Sequence, residues 1–164
     1  MRLYEIINES NRADIYHGTS IDNAMDILNS NTFYASSHSA SEGQVSFTRV
    51  LGQAVRFASY IDPAGVVFVI DQETLKRQVG RKMQPLDNTD GEGEEYGNEE
   101  HEEAVFTDVK NASSMIKKIL VFARADLDTD TYALILNDPR TKILPHGDYE
   151  DNEDMTRRQF DRKQ

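Results

Sequence analysis

The chain contains no cysteine among its 164 residues. A disulfide, thiol catalysis and a thiolate zinc site are therefore excluded. No window approaches the run of about 20 apolar residues that a membrane helix needs. The N-terminal segment is too acidic, and its apolar part too short, for a signal peptide. We therefore expect a protein of the reducing cytoplasm that does not engage membranes.

Positive charge is also scarce. The chain has 18 Lys and Arg residues against 29 Asp and Glu residues, which gives a formal net charge of −11. Because this balance repels a phosphate backbone, we expect no strong nucleic-acid binding. Residues 87–103 contain nine Asp or Glu and no Lys or Arg. The patterning predicts one domain over 1–146, with a mobile acidic loop at 87–101 and a polar tail at 147–164.

The apolar pattern predicts short strands mixed with helices. The predicted helices begin after Thr19 or Ser20, near residue 51, and after Asp71, the last of these ending at Val79. Residues 132–136 fit either type of element. The order lacks the steady βαβ rhythm and the glycine-rich phosphate loop of a doubly wound sheet, so we expect an α+β domain. Strands are predicted at 15–17, 32–35, 45–48, 66–70, 104–106, 116–123 and 142–144.

The first candidate for chemistry is a His-Gly pair in the segment Asp-Ile-Tyr-His-Gly-Thr-Ser at residues 14–20. At the end of a strand, His17 can bond a ligand hydroxyl. Gly18 has no Cβ and lets a flat ring lie against the backbone. The alternative is a histidine bonded to a backbone carbonyl, followed by a turn and a helix cap.

The second candidate is the strand Ser46-Phe47-Thr48 with Arg49 after it. Alternation puts the two hydroxyls on one face of the strand and Phe47 on the other. Buried hydroxyls need hydrogen-bond partners, which a ligand, a carboxylate or the neighbouring backbone would supply. Arg49 can reach a diphosphate, or it can be a solvated surface residue.

The third candidate is an acidic run that leads directly into apolar β-residues at 104–106. On that strand Glu102 and Glu103 point to opposite faces. A glutamate facing a cleft can bond a ribose hydroxyl and stabilise positive charge that develops on the sugar. A partner carboxylate can orient or deprotonate a nucleophile. Without the strand register, either glutamate fits this role.

In this order, Tyr16-His17-Gly18-Thr19, Ser46-Phe47-Thr48 and Glu100-His101-Glu102 resemble the three motifs of the ADP-ribosyltransferase superfamily, and small phage-encoded members in particular. The resemblance covers about residues 14–123. It implies a split, strongly bent β-sandwich with flanking N-terminal helices that binds NAD. It further implies release of nicotinamide and transfer of ADP-ribose to a macromolecule, with a protein as the expected acceptor, or to water, in the cytoplasm of a bacterium or a phage-infected host.

The resemblance also implies a role for individual residues. His17 would hold the nicotinamide ribose, and Ser46 would support the glutamate and the ribose. Glu102 or Glu103 would stabilise an oxocarbenium-like transition state, and Glu102 is the expected residue because it completes Glu-x-Glu. Tyr34, Phe33 or Phe47 would stack on the nicotinamide ring. The full set of expected NAD contacts is His17, Gly18, Thr19, Tyr34, Ser46, Phe47, Thr48 and Arg49.

Three other interpretations fit parts of the sequence. The same fold can serve as a catalytically inactive binding or structural module. It can also serve an RNA 2′-phosphotransferase, for which Arg49 and Arg56 supply little positive charge. The segment 88–99 has the ligand spacing of an EF-hand loop, but asparagine takes the first position and Pro85 stands where the entering helix should run. We expect no bound metal, since the histidines also lack paired zinc spacing.

Overall fold

The structure, a computed structural model, describes residues 14–35, 43–59, 61, 63–86 and 102–144, with the backbone alone at 84–86 and 102. The predicted acidic loop at 87–101, the predicted tail at 147–164 and the calcium-like spacing lie outside these ranges. Within them, no helix combines the length and the apolar character needed to cross a membrane.

Nine strands and five α-helices make up most of the described part of the chain. The strands are β1 Asp14–Ser20, β2 Thr32–Phe33, β3 Val45–Thr48, β4 Ala64–Asp71, β5 Met83–Leu86, β6 Glu102–Val105, β7 Val109–Lys110, β8 Ile116–Ala123 and β9 Thr141–Leu144. The helices are α1 Ile21–Ser30, α2 Leu51–Ser59, α3 Gln72–Val79, α4 Ala112–Met115 and α5 Ala133–Leu136.

Seven of these strands form one sheet in the order β5-β6-β3-β1-β4-β8-β9, and β2 pairs with β7 in a separate two-stranded sheet. All neighbours in the large sheet are antiparallel except β8 and β9. The predicted α+β class is therefore confirmed. Strand β4 is continuously apolar because it is central and is buried from Ala64 to Ile70.

Helices cover both faces of the large sheet. On one side, which we call the α2 face, α2 packs against Tyr16 of β1, Val67 of β4 and Leu120 of β8. On the other side, which we call the ribbon face, α1, α3 and the β2–β7 pair pack against Ile15 and Phe68. Strand alternation assigns each side chain to one of these two faces.

Two glycines of the sheet allow α2 to approach closely. A Cβ on Gly18 would lie 2.8 Å from the carbonyl oxygen of Ala54, and a Cβ on Gly65 would lie 1.8 Å from that of Ala58. Both of these carbonyl oxygens belong to the backbone, so no change of a side-chain rotamer can make room for the added Cβ. Gly18 therefore has a packing role in addition to any role in ligand binding.

The predicted helix caps are present. The Ser20 hydroxyl accepts a hydrogen bond from the backbone N–H of Asn23 at 3.1 Å, so Ser20 rather than Thr19 caps α1. The Asp71 carboxylate accepts bonds from the N–H groups of Glu73 and Thr74 at 3.0 and 3.4 Å. Each cap satisfies donors that the first turn of a helix leaves without an internal partner.

Six elements differ from the prediction or were ambiguous in sequence, and strand β7 and helix α4 are among those that were not predicted at all. Strand β2 ends at Phe33 rather than at residue 35, because the N–H of Ala35 bonds the Asp108 side chain at 2.9 Å instead of a strand partner. Strand β6 ends at Val105 and leaves Phe106 exposed. Residues 133–136 of the ambiguous segment are helical. Strand β5, which the sequence pattern did not predict, carries its proline on an edge strand, where a missing N–H is tolerated.

Candidate functional site

Three of the predicted site residues lie in one row across the ribbon face. Tyr16 pairs with Thr48 between β1 and β3, so His17 is level with Phe47, and Phe47 pairs with Glu103 of β6. The ring centroids of His17 and Phe47 are 5.7 Å apart. Since neighbouring strands are spaced about 4.8 Å apart, the Cα atoms of His17 and Glu103 lie two spacings, or about 10 Å, from each other.

The His17 ring is held in one orientation. Its Nδ1 atom lies 2.8 Å from the carbonyl oxygen of Ser46, and the ring of Phe33 meets it edge-on with centroids 5.2 Å apart. A carbonyl oxygen can only accept, so Nδ1 carries the hydrogen and Nε2 of the neutral ring is an acceptor. Burial lowers the pKa of His17 from 6.5, while the bond to Ser46 works in the opposite direction. The ring is therefore neutral at pH 7.

The Nε2 atom of His17 has no hydrogen-bond partner among the residues that the structure describes. A neutral imidazole in this tautomer accepts a hydrogen bond through Nε2 and cannot donate one there. The group that fits it is therefore a donor such as a hydroxyl. The sequence predicted a contact of the same kind, between His17 and a ligand hydroxyl. That contact stays a prediction.

The Glu103 carboxylate is buried, with only 3% of the residue exposed. Its Oε1 atom accepts hydrogen bonds from the guanidinium of Arg49 and, at 3.1 Å, from Nε2 of Gln72. Within the described ranges Oε2 has no hydrogen-bond partner. No buried side-chain oxygen or nitrogen in those ranges lacks a partner. Oε2 is thus the carboxylate oxygen that the described residues leave for a ligand.

Gln72 is a site residue that the sequence reasoning missed. It is the first residue of α3, follows the cap Asp71, and is 7% exposed. Leu75 and Val79 of the same helix pack into the core of the ribbon face. Gln72, Leu75 and Val79 have the spacing of one helix face, so a polar residue occupies an otherwise apolar stripe. That irregularity was the available sequence signal.

The two hydroxyls of β3 do not face His17. Tyr16 belongs to the α2 face, and its register partner Thr48 therefore lies on that face together with Ser46. The Ser46 hydroxyl accepts a bond from Nε2 of Gln44 at 3.1 Å, and the Thr48 hydroxyl accepts one from the N–H of Val50 at 3.1 Å. Ser46 is hydrogen-bonded to His17 through its backbone carbonyl.

The two adjacent glutamates occupy different rows. Glu102 holds the register position opposite Thr48, and Glu103 holds the position opposite Phe47. The structure therefore brings Glu103, not Glu102, into the row of His17. The expectation from the Glu-x-Glu pattern favoured Glu102, and which glutamate is catalytic stays a prediction.

The remaining predicted contacts surround this row at different depths. Thr19 is buried, at 7% exposure, in β1. Tyr34 follows Phe33, the residue that packs on His17, and 58% of it is exposed. The Arg49 side chain is 57% exposed although its guanidinium bonds the buried Glu103. Arg49 and Tyr34 are thus exposed, whereas Thr19 and Glu103 are buried.

The described residues contain no group of three or more histidines and carboxylates arranged to hold a metal ion. Comparison with known proteins gives no match to a family model, a curated protein or a solved structure. Function is therefore inferred from the geometry of the chain itself.

Proposed function

We propose that this protein is an NAD-dependent mono-ADP-ribosyltransferase that releases nicotinamide and transfers ADP-ribose to a protein or to water. The observation that carries the proposal is the row formed by His17, Phe47 and Glu103 on one face of the sheet. It combines a hydroxyl-binding imidazole, an apolar wall and a carboxylate. The order of the three motifs along the chain and the division into a large and a small sheet also support the proposal.

In the proposed reaction, Nε2 of His17 accepts a hydrogen bond from a hydroxyl of the nicotinamide ribose. The C–N bond to nicotinamide breaks, the leaving group takes the electron pair, and positive charge develops on the sugar. The Glu103 carboxylate stabilises that charge through Oε2, an interaction that is stronger because the carboxylate is buried. A nucleophile on the acceptor, or water, then bonds the sugar carbon and releases its proton to the solvent.

Arg49 lies where it can serve the phosphates of NAD. Its guanidinium has five N–H donors, and two of its nitrogens, Nε and Nη2, are directed at Oε1 of Glu103. Donors remain for a phosphate oxygen, and the exposure of the side chain allows a ligand to approach. Arginine is well suited to this role because its planar fork matches phosphate geometry.

One observation favours a second candidate, a binding module of the same fold without activity. The bonds from Arg49 and Gln72 to Glu103 are also what a buried carboxylate needs for purely structural reasons. A module of this kind would bind NAD or a partner and would leave the N-glycosidic bond intact.

The two candidates are separated by incubating the protein with NAD labelled in the adenine, with and without bacterial protein extract. Free nicotinamide and label retained on protein are both measured, for the wild type and for His17→Ala. The transferase predicts nicotinamide release that falls at least about 10-fold in His17→Ala, the size of a lost positioning contact. Binding of NAD without nicotinamide release would favour the inactive module, and absence of both would refute an NAD-binding function.

A further inference from the structure

The two oxygens of the Glu103 carboxylate have different surroundings. Oε1 accepts all the bonds that the described residues make to the carboxylate, and Oε2 accepts none of them. On the basis of the proposed function, we propose that Gln72 is the positioning residue of Glu103: it anchors Oε1 so that Oε2 is presented to the sugar. Gln72 itself does not touch the substrate in this arrangement.

Gln72 is better suited than Arg49 to fix the carboxylate. Residue Gln72 is 7% exposed, whereas 57% of the Arg49 side chain is exposed. A long exposed side chain loses conformational entropy when it is held in place, and solvent screens its charge. A buried amide keeps its geometry without that competition. We therefore assign the fixed orientation of Glu103 to Gln72.

The position of Gln72 is itself fixed by the start of α3. Asp71 caps the helix immediately before it, and Leu75 on the next turn is completely buried. The amide therefore extends from a helix end that is anchored both by hydrogen bonds and by core packing. A donor held in this way costs little reorganisation when charge develops in the transition state.

The test replaces Gln72 by methionine, which keeps the length of the side chain and removes the amide. The matched control is Gln78→Met, because Gln78 lies on the same helix, is exposed, and donates its amide to the Lys110 carbonyl rather than to Glu103. We expect Gln72→Met to lower kcat for nicotinamide release about 10- to 100-fold, the value of one hydrogen bond to a charged group. The KM for NAD should change less than about 2-fold, since Gln72 does not contact NAD, and Gln78→Met should behave as the wild type.

A double-substitution cycle separates positioning from a general structural effect. If Gln72 acts through the carboxylate, Gln72→Met should have less than about a 2-fold effect on the residual activity of Glu103→Gln. A purely structural role would lower kcat by the same factor in both backgrounds. Circular dichroism and thermal unfolding of each variant show whether it is folded under the assay conditions, so that rates are compared between folded proteins.

The outcomes distinguish this proposal from the one on which it rests. A wild-type protein with no action on NAD overturns both. An active wild type whose kcat is unchanged in Gln72→Met, or whose loss is equal in the Glu103→Gln background, overturns the role of Gln72 alone. A loss in Gln72→Met that disappears in the Glu103→Gln background supports it.

Discussion

Glu103 and His17 lie on the same face of the large sheet, two strands apart, and Phe47 stands between them. The imidazole is held through Nδ1, and the carboxylate is held through Oε1. Each group is thus fixed on one side and keeps an acceptor atom on the other. The proposed chemistry depends on these two acceptor atoms, Nε2 of His17 and Oε2 of Glu103.

Glycine in the sheet should prove essential for the packing of α2. We expect Gly65→Ala to lower the free energy of unfolding by about 3 kcal/mol or more and Gly18→Ala by about 2 kcal/mol, in the range of overpacked cores. The order follows from the contacts of the added Cβ, which are 1.8 Å for Gly65 and 2.8 Å for Gly18. Urea unfolding measures both values, and equal stability of Gly18→Ala and the wild type would contradict the close approach of α2.

Removal of Arg49 should expose the cost of burying Glu103. In Arg49→Met the carboxylate keeps Gln72 as its donor and loses the guanidinium. We expect a loss of about 1–3 kcal/mol in the free energy of unfolding, the cost of a buried acceptor that loses a partner.

The matched comparison for Arg49→Met is the double variant Arg49→Met with Glu103→Gln, in which residue 103 no longer carries a buried charge. It should recover part of the lost stability, because a buried charge without its partner is the costly state. Strictly additive losses in urea unfolding would show that Arg49 and Glu103 do not interact in solution.

The stability of the protein should depend on the protonation of His17. Burial lowers the pKa of this ring below 6.5 in the folded protein, while the unfolded chain retains the ordinary value. As the pH falls below 6.5, the unfolded state therefore takes up a proton that the folded state does not, and stability is lost. At higher pH the ring is neutral in both the folded and the unfolded state, so this loss of stability is absent.

The measurement is the free energy of unfolding of the wild type and of His17→Gln between pH 8 and pH 5. The wild type should lose up to about 1.4 kcal/mol more per pH unit than the variant at pH values below the ordinary histidine pKa. Because both proteins share every other titratable group, only the difference between the two curves is interpreted. Parallel curves would be inconsistent with a partly buried His17 whose ring stays neutral.

The sequence predicted most of the elements, but not strands β5 and β7 or helix α4. Continuous β-branched residues in β4 and helical spacing in α1 and α2 reflect burial directly, so these elements were predicted within a few residues. The sequence also indicated that Glu102 and Glu103 point to opposite faces. It did not indicate which of the two shares a face with His17, because that depends on the register between β3 and β6.

That Gln72 and Arg49 meet Glu103 could not be deduced from the sequence, for a similar reason. Gln72 follows β4, Arg49 follows β3, and Glu103 belongs to β6, so the three meet only through the packing of α3 on the sheet. The Ser46 and Thr48 hydroxyls were correctly predicted to share a face. The Ser46 hydroxyl accepts a hydrogen bond from Gln44, and the Thr48 hydroxyl accepts one from the backbone N–H of Val50.

The most direct test of the central claim compares two adjacent substitutions, Glu103→Gln and Glu102→Gln, in the release of nicotinamide from NAD. Both remove one carboxylate and keep the size of the side chain. If Glu103 stabilises the developing charge from the row of His17, its substitution should lower kcat at least about 100-fold, the usual effect of removing one such group. Glu102→Gln should retain most of the wild-type rate. A loss confined to Glu102→Gln, or equal rates in the two variants, would contradict the catalytic role of Glu103.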